Sequence, residues 1–399
     1  MAKEKKTAKD IVNENRKKIV DKIIKNMEKG YVFQEWSWNR NALLPHNALS
    51  NIKYQGINRL NLSFEAIEKG YKDPRWLTFK QATDKGYKVK SEAKGVLCEK
   101  WIWEKREKVK NPETGEIELD EEGNEKIVVD PLKVPKISFF YLFNASQIEG
   151  IPEYIEPQKN SNQSEIISVA EKFINSSECP IREVAQEKAY YSPREDKIIL
   201  PPKEYFKSDE AFLGTLLHEM SHSTGSKERL DRDIINIFGT EKYAIEELTA
   251  ELSCVFLEAE LGLNIDFTRQ DHINYFSSWI RALKDDPNEL YKVCSNASSS
   301  CNRLMENYEK VIALEKEQNY NMLKRLRSEC ESYLHTGNLY DLYYRAVGSQ
   351  IEIMEEIYNS FSEEEKPEWI NLEDIKNYEK EMCKVLIENE EEDCLWEEK

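Results

Sequence analysis

Two histidines and a glutamate at close spacing dominate the chemistry this 399-residue sequence offers. Leu216-Leu217-His218-Glu219-Met220-Ser221-His222 reads H-E-x-x-H inside an apolar helical pattern. His218 and His222 are four residues apart, so both imidazoles leave one helix face, one turn apart. Two neutral imidazole nitrogens at that spacing suit a single tetrahedral metal ion, usually zinc. Glu219 follows the first histidine and points beside the metal, where it takes a proton from a bound water. An ordinary helix also shows this spacing by chance, but the chain holds only five histidines in all.

A catalytic zinc site needs a third protein donor and an open fourth position. Tyr243-Ala244-Ile245-Glu246-Glu247-Leu248-Thr249-Ala250-Glu251 supplies candidates on the next strong helical pattern. Glu247 is the expected third ligand, and Glu251 the carboxylate that receives an imidazole N–H. Glu246, Glu247 and Glu251 can exchange these roles on sequence alone. Solvated glutamates on an amphipathic helix would read the same way.

These groups need rigid elements behind them. Ser208 is the expected N-cap of the first metal helix, with Asp209 and Glu210 in its first turn. Phe212, Leu213, Leu216, Leu217 and Met220 form its apolar stripe, and Gly225 its stop. Upstream, Ser192-Pro193-Arg194-Glu195-Asp196 reads as the turn of a hairpin. Lys197-Ile198-Ile199-Leu200 is the expected edge strand that aligns an extended peptide. Residues Ser223 to Thr240 form a loop that shapes the mouth of the site. A third helix is expected over Arg269 to Lys284, carrying His272 and Tyr275. Tyr243, His272 and Tyr275 are candidates to stabilise an oxyanion.

Composition bounds the rest. The length suits two or three domains with full cores. Eight cysteines carry no C-x-x-C pair, the N-terminus leads into no apolar run, and no stretch of 18 apolar residues exists. The expectation is a soluble cytoplasmic protein with reduced thiols and no membrane partner. The net charge of −18 hides a polarity. Residues 1–100 carry 22 Lys and Arg against 12 Asp and Glu, a balance of +10, and the remainder carries −28. A basic N-terminal quarter can hold a phosphate backbone locally, whereas the acidic remainder would repel or mimic one.

Residues 8–29 form an amphipathic helix with Ile11, Val12, Ile19, Ile23, Ile24 and Met27 apolar. Beyond it, Trp36, Trp38, Arg40, Tyr54, Arg59, Arg75, Trp76, Phe79, Lys80, Trp101 and Trp103 interleave aromatic with basic side chains. Such interleaving suits single-stranded nucleic acid, with cations along the phosphates and rings under unpaired bases. Any one of these tryptophans is more often core than platform. Residues 111–125 read as an exposed acidic hairpin insertion, and residues 151–165 as a polar, proline-containing linker. A helix is expected over Ile166–Asn175. Further helices are expected over Glu317–Leu334, Leu339–Phe361 and Asn371–Asn389, followed by an acidic tail.

Several motifs occur in a specific order: Pro45-His46-Asn47, Lys53-Tyr54-Gln55-Gly56-Ile57-Asn58, Arg75 through Ala82, Lys94-Gly95, and Leu142 through Gly150. With the two metal-helix motifs and His272 through Trp279, they resemble ArdC-like antirestriction proteins. The N-terminal part is similar to a domain also found on plasmid primases of the TraC type. The turn Lys90-Ser91-Glu92-Ala93-Lys94-Gly95 departs from the family's usual pattern. The resemblance implies an α+β fold, with an N-terminal single-stranded-DNA-binding domain over 1–150 and a zincin-like metallopeptidase domain over 166–310. The pattern of the chain itself adds a linker over 151–165 and, beyond the resemblance, a helical acidic extension over 311–399. It implies Zn2+, with Mn2+ or Co2+ compatible with the donors. The DNA face it nominates comprises Trp38, Arg40, Asn47, Lys53, Tyr54, Asn58, Arg59, Arg75, Trp76, Lys80 and Gln81. Two functions are then expected. One is a DNA-tethered zinc peptidase of a mobile element, acting on an unidentified protein substrate or host defence protein and protecting incoming DNA. The other is a non-proteolytic single-strand-binding or DNA-mimicking protein with a structural metal site.

Overall fold

The computed structural model describes the backbone of residues 6–29, 41–120, 122–156, 163–235, 240–263 and 272–397; side chains of 163–164, 272–276 and 389–397 are outside that description. Trp38, Arg40 and the expected helix start at 269–271 lie outside the described residues. The chain divides into two compact units, Met1–Glu306 and Asn307–Lys399.

The first unit opens with α1 (Ala8–Glu28). Thr7 caps it: its hydroxyl accepts from Asp10 N at 3.2 Å while Asp10 accepts from Thr7 N at 3.0 Å. That exchange satisfies two of the free amides every helix start leaves. Then come β1 (His46–Asn47), α2 (Gly56–Lys69), β2 (Arg75–Thr78), α3 (Phe79–Asp84), β3 (Lys88–Val89), β4 (Val96–Lys108), β5 (Ile127–Asn144) and β6 (Ile148–Glu149). One sheet has the order β1-β2-β5-β4, and β3 pairs with β6. The expected 111–125 insertion continues the β4–β5 ribbon, with isolated bridges Lys110↔Ile117 and Leu119↔Glu125.

Strand alternation decides what this sheet buries. Trp76, Val96, Cys98 and Leu142 face one way and pack with Leu62 and Ala66 of α2. Leu77 and Phe143 face the other way and meet Ala82 of α3 and Ile148. α2 is also tied to the edge of β4. The Asn58 side chain accepts from Glu99 N at 2.9 Å and donates to Glu99 O at 2.8 Å. Asn58→Ala orphans both main-chain groups at a buried residue and is expected to cost about 1–3 kcal/mol, read from the denaturant midpoint.

The second half of this unit comprises α4 (Gln163–Asn175), β7 (Ile181–Glu183), β8 (Tyr190–Ser192), β9 (Lys197–Leu200), α5 (Asp209–Ser223), α6 (Glu241–Leu261) and α7 (His272–Asp285). The β8–β9 hairpin is as expected, but the edge-strand expectation is corrected. The order is β7-β9-β8, so Lys197–Leu200 is the central strand and β8 an edge. Its pattern agrees, since Ile198, Ile199 and Leu200 are all buried, as a strand covered on both sides requires.

α8 (Asn288–Thr336) runs across the residue at which the two units divide. The expected helix over Glu317–Leu334 is part of it. The helix expected over Leu339–Phe361 starts late, as α9 (Val347–Ser360). Residues Leu339–Asp341 form a 3-10 turn, and Arg345 takes a positive φ of 50° that no helix continues through. α10 (Leu372–Glu397) closes the described chain. The second unit has its own core: Leu326, Cys330 and Tyr333 pack with Ile351, Met354, Ile375 and Met382. No described helix is long and apolar enough to cross a membrane.

Candidate metal centre and nucleic-acid face

α5 begins where its sequence says it should: Ser208 Oγ accepts from Ala211 N at 3.2 Å, and Asp209 and Glu210 lie in the first turn. Thr240 caps α6 in the same way, and Gly262 ends it with φ 70°. The two helices pack together. This brings His218, His222 and Glu247 to one place, each offering a ligand atom within 4.8 Å of the others.

The open roles of the three glutamates separate here. Glu251 Oε1 lies 2.9 Å from His218 Nδ1, and Glu246 Oε1 lies 3.2 Å from His222 Nδ1. With each Nδ1–H given to a carboxylate, the tautomer assigned by this network leaves a lone pair on each Nε2. Those two nitrogens face one another at 3.0 Å, and a Glu247 oxygen lies 3.5 Å from each. Two acceptors and a carboxylate turned on one point repel each other, and a divalent cation there relieves all three. The donor set therefore fits a metal of the zinc class. Burial opposes the charge on Glu247, and the Tyr243 hydroxyl donates to its carboxylate. Burial also opposes the charge on Glu246, and hydrogen bonds from His222 and Arg232 overcome it and hold its pKa below the usual carboxylate value.

Glu219, the expected base, is buried and accepts from the main-chain N of Tyr191 at 2.9 Å. Tyr191 belongs to the edge strand β8, and its hydroxyl donates to Asp196 at 2.6 Å. Arg229 grips this hairpin from the loop after α5, reaching the Tyr191 hydroxyl at 3.1 Å and Ser223 O at 2.6 Å. The oxyanion candidates divide. Tyr243 hydrogen-bonds to Glu247. His272 is the first residue of α7, but its side chain and that of Tyr275 lie outside the described residues.

The nominated DNA residues behave differently from expectation. Trp76 is 1 % exposed and cannot offer a ring to a base. Arg59, also 1 % exposed, donates to Leu43 O at 2.9 Å, stacks on Phe256 and reaches Glu260 at 3.2 Å. Lys53 pairs with the same Glu260 at 2.5 Å. Arg75 is clasped by Asp73 at 2.8 Å and donates to Pro152 O at 2.6 Å. Asn47 organises a turn through Leu49 N and donates to Gln81, whose oxygen also caps α3 through Thr78 N. Burial pushes the Tyr54 hydroxyl up to about 12. Asn58 is spent on β4, as above. Lys80 alone of the described set is exposed without a structural task assigned to it above.

A different set faces outward. Phe79 is 58 % exposed and meets Phe143 edge to face at 6.5 Å between ring centres. Tyr141 is 47 % exposed and meets Phe139 at 6.0 Å. Gly95 lies between these pairs: a Cβ there would come within 3.0 Å of both Phe143 and Tyr141. Phe139, Tyr141 and Phe143 share one face of β5, Phe79 joins them from α3, and the exposed Lys80 and Lys94 are the chain neighbours of Phe79 and Gly95. A signal for this row exists in Phe139, Tyr141 and Phe143, aromatics at every second position of a strand.

Paired metal-ligand helices behind a small sheet, following an α+β domain, define a zincin-like protein with an added N-terminal module. A family model described as a zincin-like metallopeptidase matches residues 168–296. The N-terminal domain of anti-restriction factor ArdC matches residues 13–134, and large polyvalent protein-associated domain 11 matches residues 316–382. The crystal structure of the antirestriction ArdC protein from plasmid R388, metal-free, is 31 % identical with a TM-score of 0.56, covering 74 % of this chain and 98 % of that one. Its Mn(II)-bound form matches equally, with a TM-score of 0.56 over 73 % of this chain and 97 % of that one. The chain belongs to the ArdC family of antirestriction proteins. Two DNA primases TraC of Escherichia coli are each 34 % identical over 70 % of this chain, which spans only 26 % and 19 % of their lengths. An uncharacterised protein of Sinorhizobium fredii is 29 % identical over 70 % of this chain and 88 % of its own length. A zincin-like domain implies a metal, which the donor set accommodates.

Proposed function

We propose that the chain binds single-stranded DNA on the Phe79–Phe143–Tyr141 face and carries a metal-dependent peptidase centre on α5 and α6, protecting incoming DNA of a mobile element. We assign DNA binding to residues 1–150, a connector to 151–165, the peptidase to 166–310 and a helical acidic extension to 311–399. The observation that carries the reading is that the three donors and the exposed aromatic row occur within one compact unit.

His218, His222 and Glu247 hold the metal in this reading, with zinc the first choice. When bound, the ion polarises a peptide carbonyl and lowers the pKa of water. The remaining work belongs to the chain. Glu219, aligned by the Tyr191 amide, takes a proton from the attacking water and passes it to the leaving amine. Tyr243, whose hydroxyl hydrogen goes to Glu247 here, is the oxyanion donor we nominate, released to the substrate by turning from that carboxylate. Because Tyr191 turns its N–H toward Glu219, the edge strand β8 lies beside the centre, and we nominate its outer edge, through groups other than that N–H, for an extended peptide.

On the DNA side, stacking on exposed rings supplies affinity without reading sequence, and neighbouring lysines add a salt-dependent part. The test is fluorescence anisotropy of a labelled single-stranded oligonucleotide, against its duplex, with the full chain across a salt series. Single-strand preference is expected, with log K falling by roughly 0.7 per tenfold rise in salt for each phosphate neutralised. Equal affinity for duplex would sink the DNA half of the reading and leave the metal centre to account for function.

A further inference from the structure

We propose that Arg232 and Glu246 act together as positioning residues for the metal ligand His222, so that the loop after α5 sets the affinity of the centre. This rests on the metal reading above. The two histidines are held unequally. The Nδ1 partner of His218 is Glu251, which like Glu247 lies on α6, so that arm is built between two helices. The His222 arm goes one step further. Glu246 Oε1 takes both His222 Nδ1 at 3.2 Å and Arg232 Nη2 at 2.7 Å, while Arg232 Nε reaches Glu246 Oε2 at 3.1 Å.

Arg232 comes from the loop, not from either helix, and its side chain is only 5 % exposed. Its remaining hydrogens fix the end of α5: Nη2 donates to Ser221 O at 2.8 Å and Nη1 to Thr224 Oγ1 at 2.7 Å. Ser221 immediately precedes His222. One planar guanidinium therefore orients the carboxylate that orients the imidazole, and also holds the backbone that carries it. Gly225 makes room for this. A Cβ there would come 2.9 Å from Arg232 Nη2 and 2.5 Å from Ile234 Cγ2. The glycine expected as a helix stop thus also leaves the space that the returning loop's Arg232 and Ile234 side chains occupy. A buried ion pair of this kind adds little net stability by itself, so its value lies in orientation.

The test uses the full chain stripped of metal. Zinc affinity is read by chelator competition, the Co2+ absorption spectrum reports ligand geometry, and the thermal midpoint of the metal-free chain controls for folding. Arg232→Met and Glu246→Gln are each expected to weaken zinc binding about 10–100-fold and to alter the cobalt bands. The double variant should lose no more than the worse single one, because the two act in series. Arg232→Lys should restore the affinity only in part, since an ammonium cannot span both carboxylate oxygens. Lys242→Met removes an exposed ion pair to Asp233 that ties the same loop to α6 (2.7 Å) and should leave affinity unchanged. Should Arg232→Met fail to fold, Glu246→Gln and Gly225→Ala decide, and both are expected to show the loss. Zinc affinity within threefold of the parent in the folded variants overturns the inference alone. A parent chain that takes up no more metal than His222→Ala overturns the metal reading and the inference with it.

Discussion

Replacing Glu219 with glutamine is expected to leave metal uptake intact while lowering metal-dependent peptide hydrolysis by about 10²–10⁴-fold, the usual worth of a positioned acid–base group. Glutamine keeps the shape of the side chain and can still accept from Tyr191 N, the bond that now stands at 2.9 Å. It cannot take a proton. Neither Nε2 and neither oxygen of Glu247 is touched by the change, so zinc affinity should stay with the parent. Two assays separate the accounts of function. One is cleavage of a peptide library by the zinc-loaded chain. The other is the establishment of unmodified incoming DNA in a restricting host. Loss of both places proteolysis in the protective pathway. If cleavage disappears and protection stays, the peptidase is not how the DNA survives, and the binding face must account for it.

The second large effect is expected on that face. Phe79→Ala with Tyr141→Ala should weaken single-strand binding by about 2–6 kcal/mol in total, taking about 1–3 kcal/mol for each stacked base. Even the lower end is roughly 30-fold in affinity. The salt slope should not change, because no cation is removed. Lys80→Met with Lys94→Met should do the reverse, flattening the slope by about 0.7 for each phosphate left without its cation while weakening binding less at high salt. The comparison with Asn58→Ala is direct: that variant should lose stability and keep its DNA affinity, since its carboxamide is committed to Glu99. Anisotropy titrations with the full chain read all three. An aromatic double variant that binds like the parent would move the DNA face elsewhere.

What could be read from the sequence follows physical range. α5 was legible because its information is local: a serine cap, two acids in the first turn, an apolar stripe and histidines one turn apart. The division of labour among Glu246, Glu247 and Glu251 was not, because it depends on where each carboxylate falls across the α5–α6 packing. Strand order was out of reach for a similar reason. β7 is only three residues, Ile181–Glu183, too short for a period, and its parallel pairing to β9 puts the expected edge strand in the middle. The DNA residues show the limit of composition. Trp76, Arg59 and Trp103 look alike in a count of aromatic and basic side chains. Only the fold separates the first two, sealed inside, from the third, which is 64 % exposed. The aromatic row was visible as Phe139, Tyr141 and Phe143, yet alternation does not say which face a neighbouring helix covers.

The clasp of Arg59 and Lys53 on Glu260 limits how this protein can be cut or recombined. Glu260 lies near the C-terminal end of α6, and Glu247 about 20 Å away along the same helix at 1.5 Å per residue. Removing everything after residue 150 would strip the buried Arg59 guanidinium of the Phe256 ring and the Glu260 carboxylate at once. The guanidinium would keep only Leu43 O, and the apolar surface that α6 now covers would be opened to water. The N-terminal half is therefore a poor candidate for life as a detached module. Shuffling between genes should move it together with the metal helices, and the stretches of about 283 residues shared with the TraC primases have the length of such a pair.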